Sequence, residues 1–331
     1  MDSYNVAVVG VGAVGEAMIR TLKRRRFPIK DLRVLARSQR NITVGGESYS
    51  VRQCVPEAFE GVDIALFAGT EGDKGASAEF ARLAAQRGAT VIDNSSYFRM
   101  EPDIPLVVPE VNPEDLDRHQ GIIANPNCST IQMVVALKPL HDAARIKRVI
   151  VSTYQAVSGA GRSSVDFLRK QVEAQIAGLE PPTSPDHFNG VVMAFNVLPQ
   201  IDAFDELGYT KEEWKMVRET QKIFHDSTLA ITATAVRVPV YNGHSESIYI
   251  ETETKLTADR AREILAGAPG IILMDNPSDR QYAMPSSASG SDEVFVSRVR
   301  EDPFVANALS FWVVADNVLK GAATNAVQIA E

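Results

Sequence analysis

Of the two cysteines in the 331-residue chain, Cys54 and Cys128, the second has surroundings that could make it a nucleophile. It stands in Asn125-Pro126-Asn127-Cys128-Ser129-Thr130-Ile131-Gln132-Met133-Val134-Val135, where a Pro/Asn turn runs into an apolar stretch of helical character. At a helix N-terminus the dipole favours thiolate over thiol. Free backbone amides there can also hold the oxyanion formed when that thiolate attacks a carbonyl. The alternative for any single cysteine is an inert buried residue, and that is the reading for Cys54. The two cysteines lie far apart and lack a Cys/His ligand cluster, so no metal site and no disulfide framework is expected.

The second chemical signal is Gly10-Val11-Gly12-Ala13-Val14-Gly15, a G-x-G-x-x-G pattern. Residues 4–9 before it form a short apolar run, and Val14, Met18, Ile19 and Leu22 after it carry helical spacing. In that strand-turn-helix setting the glycines admit a close backbone approach, and the helix N-terminus faces a pyrophosphate. A tight turn without a ligand is the competing reading. The next strand ends in Ala36-Arg37-Ser38-Gln39-Arg40, where an NAD enzyme usually carries a carboxylate for the ribose 2′-hydroxyl. Arg37, Arg40 and Ser38 suit a 2′-phosphate instead, so the expected cofactor is NADP; the alternative is a solvated basic loop.

Elements able to position these groups follow from periodicity. Strand-like runs at 32–36, 63–68, 90–93, 106–108 and 121–124 alternate with helical segments such as 76–87, which predicts a parallel, doubly wound α/β sheet of Rossmann type. Beyond residue 125, runs at 149–154, 231–239, 245–253, 271–274 and 293–299 are rich in Val, Ile and Thr. They predict a second α/β domain with a mostly antiparallel sheet. Residues 179–185 and 276–290 read as surface loops, and 305–328 as a helix through Leu309, Trp312, Val313 and Leu319. The expected division is a nucleotide domain over 1–125, rejoined by a C-terminal helix over about 305–331, and a catalytic and dimerisation domain over 126–304. In Arg237-Val238-Pro239-Val240-Tyr241-Asn242-Gly243-His244, Asn-Gly between two strands predicts a hairpin that brings Arg237 and His244 to one end of a sheet.

With 45% hydrophobic and 23% charged residues the composition is that of a globular protein, neither disordered nor fibrous. A formal charge of −8 argues against nucleic acid as a partner. The run Lys23-Arg24-Arg25-Arg26 reads as a basic last helical turn complementing the dipole. No apolar stretch is long enough to span a membrane and no signal-peptide pattern is present, so a cytoplasmic protein is expected.

Asn125-Pro126-Asn127-Cys128-Ser129-Thr130 resembles the active-site motif of aspartate-semialdehyde dehydrogenases. The Gly-Cys-Tyr-Pro-Thr typical of the related N-acetyl-glutamyl-phosphate reductases is absent. The resemblance extends over essentially the whole chain, through Asp93-Asn94-Ser95-Ser96-Tyr97-Phe98-Arg99, Pro109-Glu110-Val111-Asn112 and Ser152-Thr153-Tyr154-Gln155-Ala156-Val157-Ser158-Gly159-Ala160-Gly161 to Ala315-Asp316-Asn317. It departs at the first turn, where Val11-Gly12 stands in place of a more usual Ala-Thr-Gly. What the resemblance implies is a thioester on Cys128, a substrate-orienting amide at Gln155, a general acid/base at His244 and an arginine at Arg237 for the substrate carboxylate. It further implies Glu212 for the substrate amine, and Lys215 with Arg99 and Asn127 for substrate and phosphate. Gly69, Thr70, Ser158, Gly159 and Asn317 would be cofactor contacts. On residues alone, Glu212 and Lys215 could equally be a helical surface pair. The implied activity is NADPH-dependent conversion of L-aspartyl 4-phosphate to L-aspartate 4-semialdehyde and inorganic phosphate by a homodimer. That step serves lysine (by way of diaminopimelate), threonine and methionine biosynthesis. Reduction of another acyl phosphate such as N-acetyl-glutamyl phosphate, a cysteine hydrolase, and a non-catalytic nucleotide-binding relative are the alternatives.

Overall fold

The computed structural model describes residues 3–69 and 75–331; Thr70, one of the expected cofactor contacts, falls outside them. The chain divides into two units. The first comprises Met1–Asn127, Lys222–Phe224 and Gly321–Glu331, and the second Cys128–Gln221 and His225–Lys320.

The first unit is built on strands β1 (Tyr4–Val9), β2 (Ile29–Ala36), β3 (Arg40–Val44), β4 (Glu47–Gln53), β5 (Ile64–Phe67), β6 (Thr90–Asp93) and β7 (Ile122–Ala124). Their order is β3-β4-β2-β1-β5-β6-β7, parallel throughout except for the β3/β4 pair. Val6–Val9 and Ile64–Phe67 are buried along their whole length, as expected for central parallel strands covered on both faces. Helix α1 (Ala13–Arg24) turns Ala17, Met18, Ile19 and Leu22 inward and ends on Lys23 and Arg24. The 76–87 segment is a π turn over Ser77–Ala81 followed by α2 (Arg82–Gln86). Residues 106–108 do not form a strand; Leu106 makes a single bridge to Ala124. The β3/β4 hairpin, closed by Gly45-Gly46, was not expected. Its short alternating strands are polar on both sides of the turn, and only Val44 and Val51 are buried, so the apolar signal is thin.

The second unit holds β8 (Ile146–Gln155), β9 (Ala230–Arg237), β10 (His244–Thr252), β11 (Ile271–Leu273), β12 (Val294–Glu301) and β13 (Ala308–Ala315), in the order β11-β12-β13-β10-β8-β9. Its helices are α3 (Cys128–Ala144), α4 (Arg162–Ile176), α5 (Lys211–Ile223, of which the last two residues group with the first unit), α6 (Ala258–Ala266) and α7 (Pro285–Ala288). The chain then returns to the first unit and ends in α8 (Thr324–Ala330), packed on α1. Helix α3 is buried all round from Ser129 to Leu137 and lies against β8, β10, β12 and β13, which makes it the core helix of this unit.

Three further expectations are corrected. Residues 305–328 are not one helix: Ala308–Ala315 is strand β13, set between β12 and β10, and a π turn starts only at Leu319. An interior strand covered on both faces gives a continuous apolar run, which spacing alone does not separate from a helix. The Asn242-Gly243 turn does not close a hairpin either, because β8 lies between β9 and β10, parallel to the former and antiparallel to the latter. Residues 238–243 therefore cross over the end of β8. The loop expected at 276–290 contains α7. No helix among the described residues is long and apolar enough to cross a membrane.

Helix α5 is anchored by a reciprocal cap. The Thr210 amide donates to Glu213 Oε2 at 2.7 Å and the Glu213 amide to Thr210 Oγ1 at 3.3 Å, the pattern of a capping box. Glu213 Oε1 meanwhile accepts the Ala235 amide at 2.8 Å, a donor that edge strand β9 would otherwise leave unpaired. One buried carboxylate thus ties α5 to β9. Glu213→Ala removes both acceptors and is expected to cost about 1–3 kcal/mol in unfolding free energy, measured by denaturant titration.

Candidate active site

Sheet register sets the site. Gln155 pairs with Arg237 across β8/β9, and Ser245 pairs with Tyr154 across β10/β8, which sets His244 opposite Gln155. The three side chains leave the same face of adjacent strands at one end of the sheet, since residues abreast share a face. The convergence expected from a hairpin is thus achieved by a different connection.

The backbone of one residue, Ala156, holds two of them. The Ala156 N–H donates to His244 Nδ1 at 3.0 Å, and Arg237 Nη1 donates to the Ala156 carbonyl at 2.8 Å. Because Nδ1 accepts, the neutral imidazole carries its proton on Nε2. His244 is wholly buried. That burial, and secondarily the Arg237 charge, holds its pKa well below the usual histidine value. Its Nε2 has no hydrogen-bond partner. Gly159 covers the pair: a Cβ there would stand 3.0 Å from Arg237 Nη1 and 3.1 Å from His244 Nε2, so a side chain would press on both.

Cys128 is the first residue of α3 and is partly exposed. Burial lowers the pKa of the Arg237 guanidinium, while Glu212 and Cys128 raise it, so the thiol lies within electrostatic reach of the arginine. Cys54 is different: burial pushes its thiol up to about 12, which removes it as a nucleophile at neutral pH. Gln155 Nε2 donates to Glu212 Oε1 at 3.2 Å, and Lys215 Nζ reaches Glu212 Oε2 at 3.1 Å and Asp202 Oδ2 at 3.3 Å. The Glu212–Lys215 spacing therefore does form a helical pair, but a half-buried one joined to the strand-end row. Ser158 Oγ and the Gly243 amide both reach Asn317 Oδ1 at 3.0 Å, so Ser158 and Asn317 form a polar patch at the turn entering β10.

Arg99 and Asn127 belong to the first unit. Arg99 is buried and donates from Nη2 to the Asn94 carbonyl at 2.8 Å. The stretch behind it is clipped by Lys222 Nζ, which donates to the carbonyls of Arg99, Glu101 and Ile104 at 2.7, 2.7 and 2.8 Å. A relay of buried amides, Asn325 to Asn125 and Asn125 to Asn94, each at 2.7 Å, fixes the residues that lead into Cys128.

The glycine turn opens on a cleft of about 670 Å³ lined by Gly10, Gly12, Arg37, Arg40, Gly69 and Glu79, among others. Gly15 cannot be replaced, since a Cβ would sit 1.9 Å from the Gly10 carbonyl oxygen; Gly12 has open space where its side chain would be. Ala13 and Val14 begin α1, whose first amides face the turn. Arg37 and Arg40 stand on the cleft wall, and Arg40 Nη1 holds Ser38 Oγ at 3.0 Å. An open glycine cradle at a helix N-terminus with two guanidinium groups beside it fits a dinucleotide. Among the described residues no group of His, Cys, Asp and Glu could hold a metal ion.

Sequence reasoning missed Ala156 and Glu213. Ala156 acts only through its backbone and leaves no side-chain signal. Glu213 does leave one, the Thr-x-x-Glu of a capping box. The buried neutral histidine has a consequence for stability. Its folded pKa is depressed, so the unfolded chain binds more protons below about pH 6.5, and stability is lost as pH falls through that value. The melting temperature of the native chain is expected to fall more than that of His244→Gln between about pH 7.5 and 5.5; equal slopes in the two pH series would show that His244 is charged in the folded state.

Comparison with known proteins agrees over both units. Residues 5–119 match the family model "Semialdehyde dehydrogenase, NAD binding domain" and residues 137–320 match "Semialdehyde dehydrogenase, dimerisation domain". The chain is 53% identical to the aspartate-semialdehyde dehydrogenase of Aquifex aeolicus over 99% of its own length and 97% of the relative's. It is 49% identical to that of Bacillus subtilis over 99% and 96%. The crystal structure of aspartate semialdehyde dehydrogenase II from Vibrio cholerae, at 46% identity, superposes with a TM-score of 0.93 over 99% of this chain and 98% of that one, and a second structure of that enzyme, complexed with ASA, gives the same score. The chain therefore belongs to the aspartate-semialdehyde dehydrogenase family.

Proposed function

We propose that the chain converts L-aspartyl 4-phosphate to L-aspartate 4-semialdehyde and inorganic phosphate with NADPH, as a cytoplasmic homodimer. The first unit binds the nucleotide, and the second carries the thiol and the dimer contacts. The observation that carries the reading is the pairing of Arg237 and His244 on the backbone of Ala156, with Cys128 at a helix N-terminus in electrostatic reach.

In this reading the Cys128 thiolate attacks the acyl carbon, the oxyanion is held by the first amides of α3, and the carbon–oxygen bond to phosphate breaks to leave a thioester. Bound NADPH supplies the hydride that reduces it. His244 is a donor from Nε2: held neutral by burial and by the Ala156 amide on Nδ1, it gives its N–H to the developing oxyanion. A neutral imidazole donates a hydrogen bond here and transfers no proton, so the acid/base role expected from the family narrows to stabilising the oxyanion, which remains unprotonated until the thiohemiacetal collapses. When the thiohemiacetal collapses, the carbon–sulfur bond breaks and thiolate is recovered. Arg237 offers a planar fork to the substrate α-carboxylate. Glu212 takes the amine, and Gln155, bonded to Glu212, orients the acyl group. Lys215 takes phosphate; Arg99 and Asn127 keep the substrate and phosphate roles that the resemblance implies. Ser158, Gly159 and Asn317 keep the cofactor roles that the resemblance implies. Arg37, Ser38 and Arg40 support NADP over NAD, because they present cations and a hydroxyl where NAD enzymes place a carboxylate.

Phosphate-dependent reduction of NADP by the semialdehyde tests this directly. Cys128→Ala is expected to abolish it. His244→Gln is expected to lower kcat about 10²–10³-fold, the usual cost of losing an oxyanion donor. Arg37→Ala with Arg40→Ala is expected to raise KM for NADP about 10–100-fold while leaving NAD turnover unchanged. Full activity in Cys128→Ala would rule out the thioester route; an unchanged KM for NADP would return the arginines to a solvated loop.

A further inference from the structure

Strand β10 begins His244-Ser245-Glu246, and alternation puts His244 and Glu246 on one face. Glu246 is completely buried, and the reaction proposed above does not use it. Its neighbours abreast are Thr153 on β8 and Val313 on β13; above it lies α3, which packs on β10. The polar side chain bearing on the carboxyl is Gln132, one helical turn beyond Cys128. No cation faces it from these elements: β10 contributes His244, held neutral, β8 a threonine, β13 a valine and α3 an amide. An unpaired buried carboxylate is strongly disfavoured, and burial drives the pKa of Glu246 well above the ordinary carboxylate range, against a smaller lowering by the Gln132 side chain.

Gln132 Nε2 donates to the His244 carbonyl at 3.4 Å, while Gln132 Oε1 and both Glu246 oxygens have no hydrogen-bond partner. An acid with a proton to give thus sits beside a buried acceptor with none to receive. We propose that Glu246 is a neutral carboxylic acid that donates its proton to Gln132 Oε1, and so acts as a positioning residue for the reactive pair. It orients the Gln132 amide, whose NH₂ holds the His244 carbonyl and fixes the first residue of β10 against the helix that carries Cys128. The inference rests on the reading of Cys128 and His244 as reactive groups.

Three variants and two readouts test it. In Glu246→Gln an amide NH₂ replaces the acid O–H toward Gln132, and kcat is expected to stay within about twofold of the native enzyme. Glu246→Leu and Gln132→Leu each break the link; each is expected to lower kcat about tenfold or more with KM for semialdehyde and phosphate unchanged, and the double variant to be no worse than either. The second readout needs no turnover. A carboxyl whose folded pKa is raised loses stabilisation as pH rises above its unfolded value, so the Glu246→Gln variant should gain melting temperature over the native chain from about pH 5 to 8. If Glu246→Leu does not fold, Gln132→Leu carries the kinetic arm. Native kcat in a folded leucine variant would overturn the positioning role, as would Glu246→Gln as impaired as the leucine variants. A melting-temperature gap independent of pH would overturn the neutral acid. An inactive native enzyme would count against the proposed reaction, whereas the pH series would still decide the protonation of Glu246.

Discussion

The arrangement of the site depends on the backbone of Ala156. Its N–H fixes the ring nitrogen of His244 and its carbonyl anchors the guanidinium of Arg237, so the distance between donor and cation is set by backbone geometry rather than by two flexible side chains. Backbone groups at a strand end cannot be repacked by substitution and lose little entropy on binding, which is the pre-organisation that a reaction with a developing oxyanion needs. Ala156 is held in turn by the ten-residue strand β8, the strand between the one ending in Arg237 and the one starting with His244.

Burial gives those backbone contacts their electrical effect. His244 is enclosed with an arginine beside it, and the imidazolium is disfavoured twice over, by lost solvation and by like charge. Arg237 is itself buried but keeps Glu212 as a counter-charge, and Glu212 is shared with Gln155 and Lys215. The charges beside His244 are thus paired along one strand-end row, while the next residue down the same face of β10, Glu246, is a buried carboxyl.

Much of this was legible from the sequence, and the remainder was hidden for physical reasons. The glycine turn, the first strand and helix, and Cys128 at a helix start follow from local patterns that tertiary contacts do not override. Arg237 and His244 were expected together, though through an Asn-Gly hairpin; a third strand inserted between two sequence neighbours is a non-local fact that turn chemistry cannot reveal. Strand β13 carries a helix-like signal because buried residues on both faces erase the period-two pattern. The β3/β4 hairpin leaves little signal for the opposite reason, too little apolar surface. In sequence Glu246 is one charged residue in a half-polar strand; only the packing of α3 over β10 turns it into a buried acid.

The central claim is that Cys128 carries the acyl group. Mass spectrometry of the protein mixed with L-aspartyl phosphate in the absence of NADPH, followed by peptide mapping, tests it most directly. The expected result is an added aspartyl group on the Cys128 peptide that disappears when NADPH is supplied. An unmodified Cys128 peptide from enzyme that nonetheless turns over with NADPH would contradict the account.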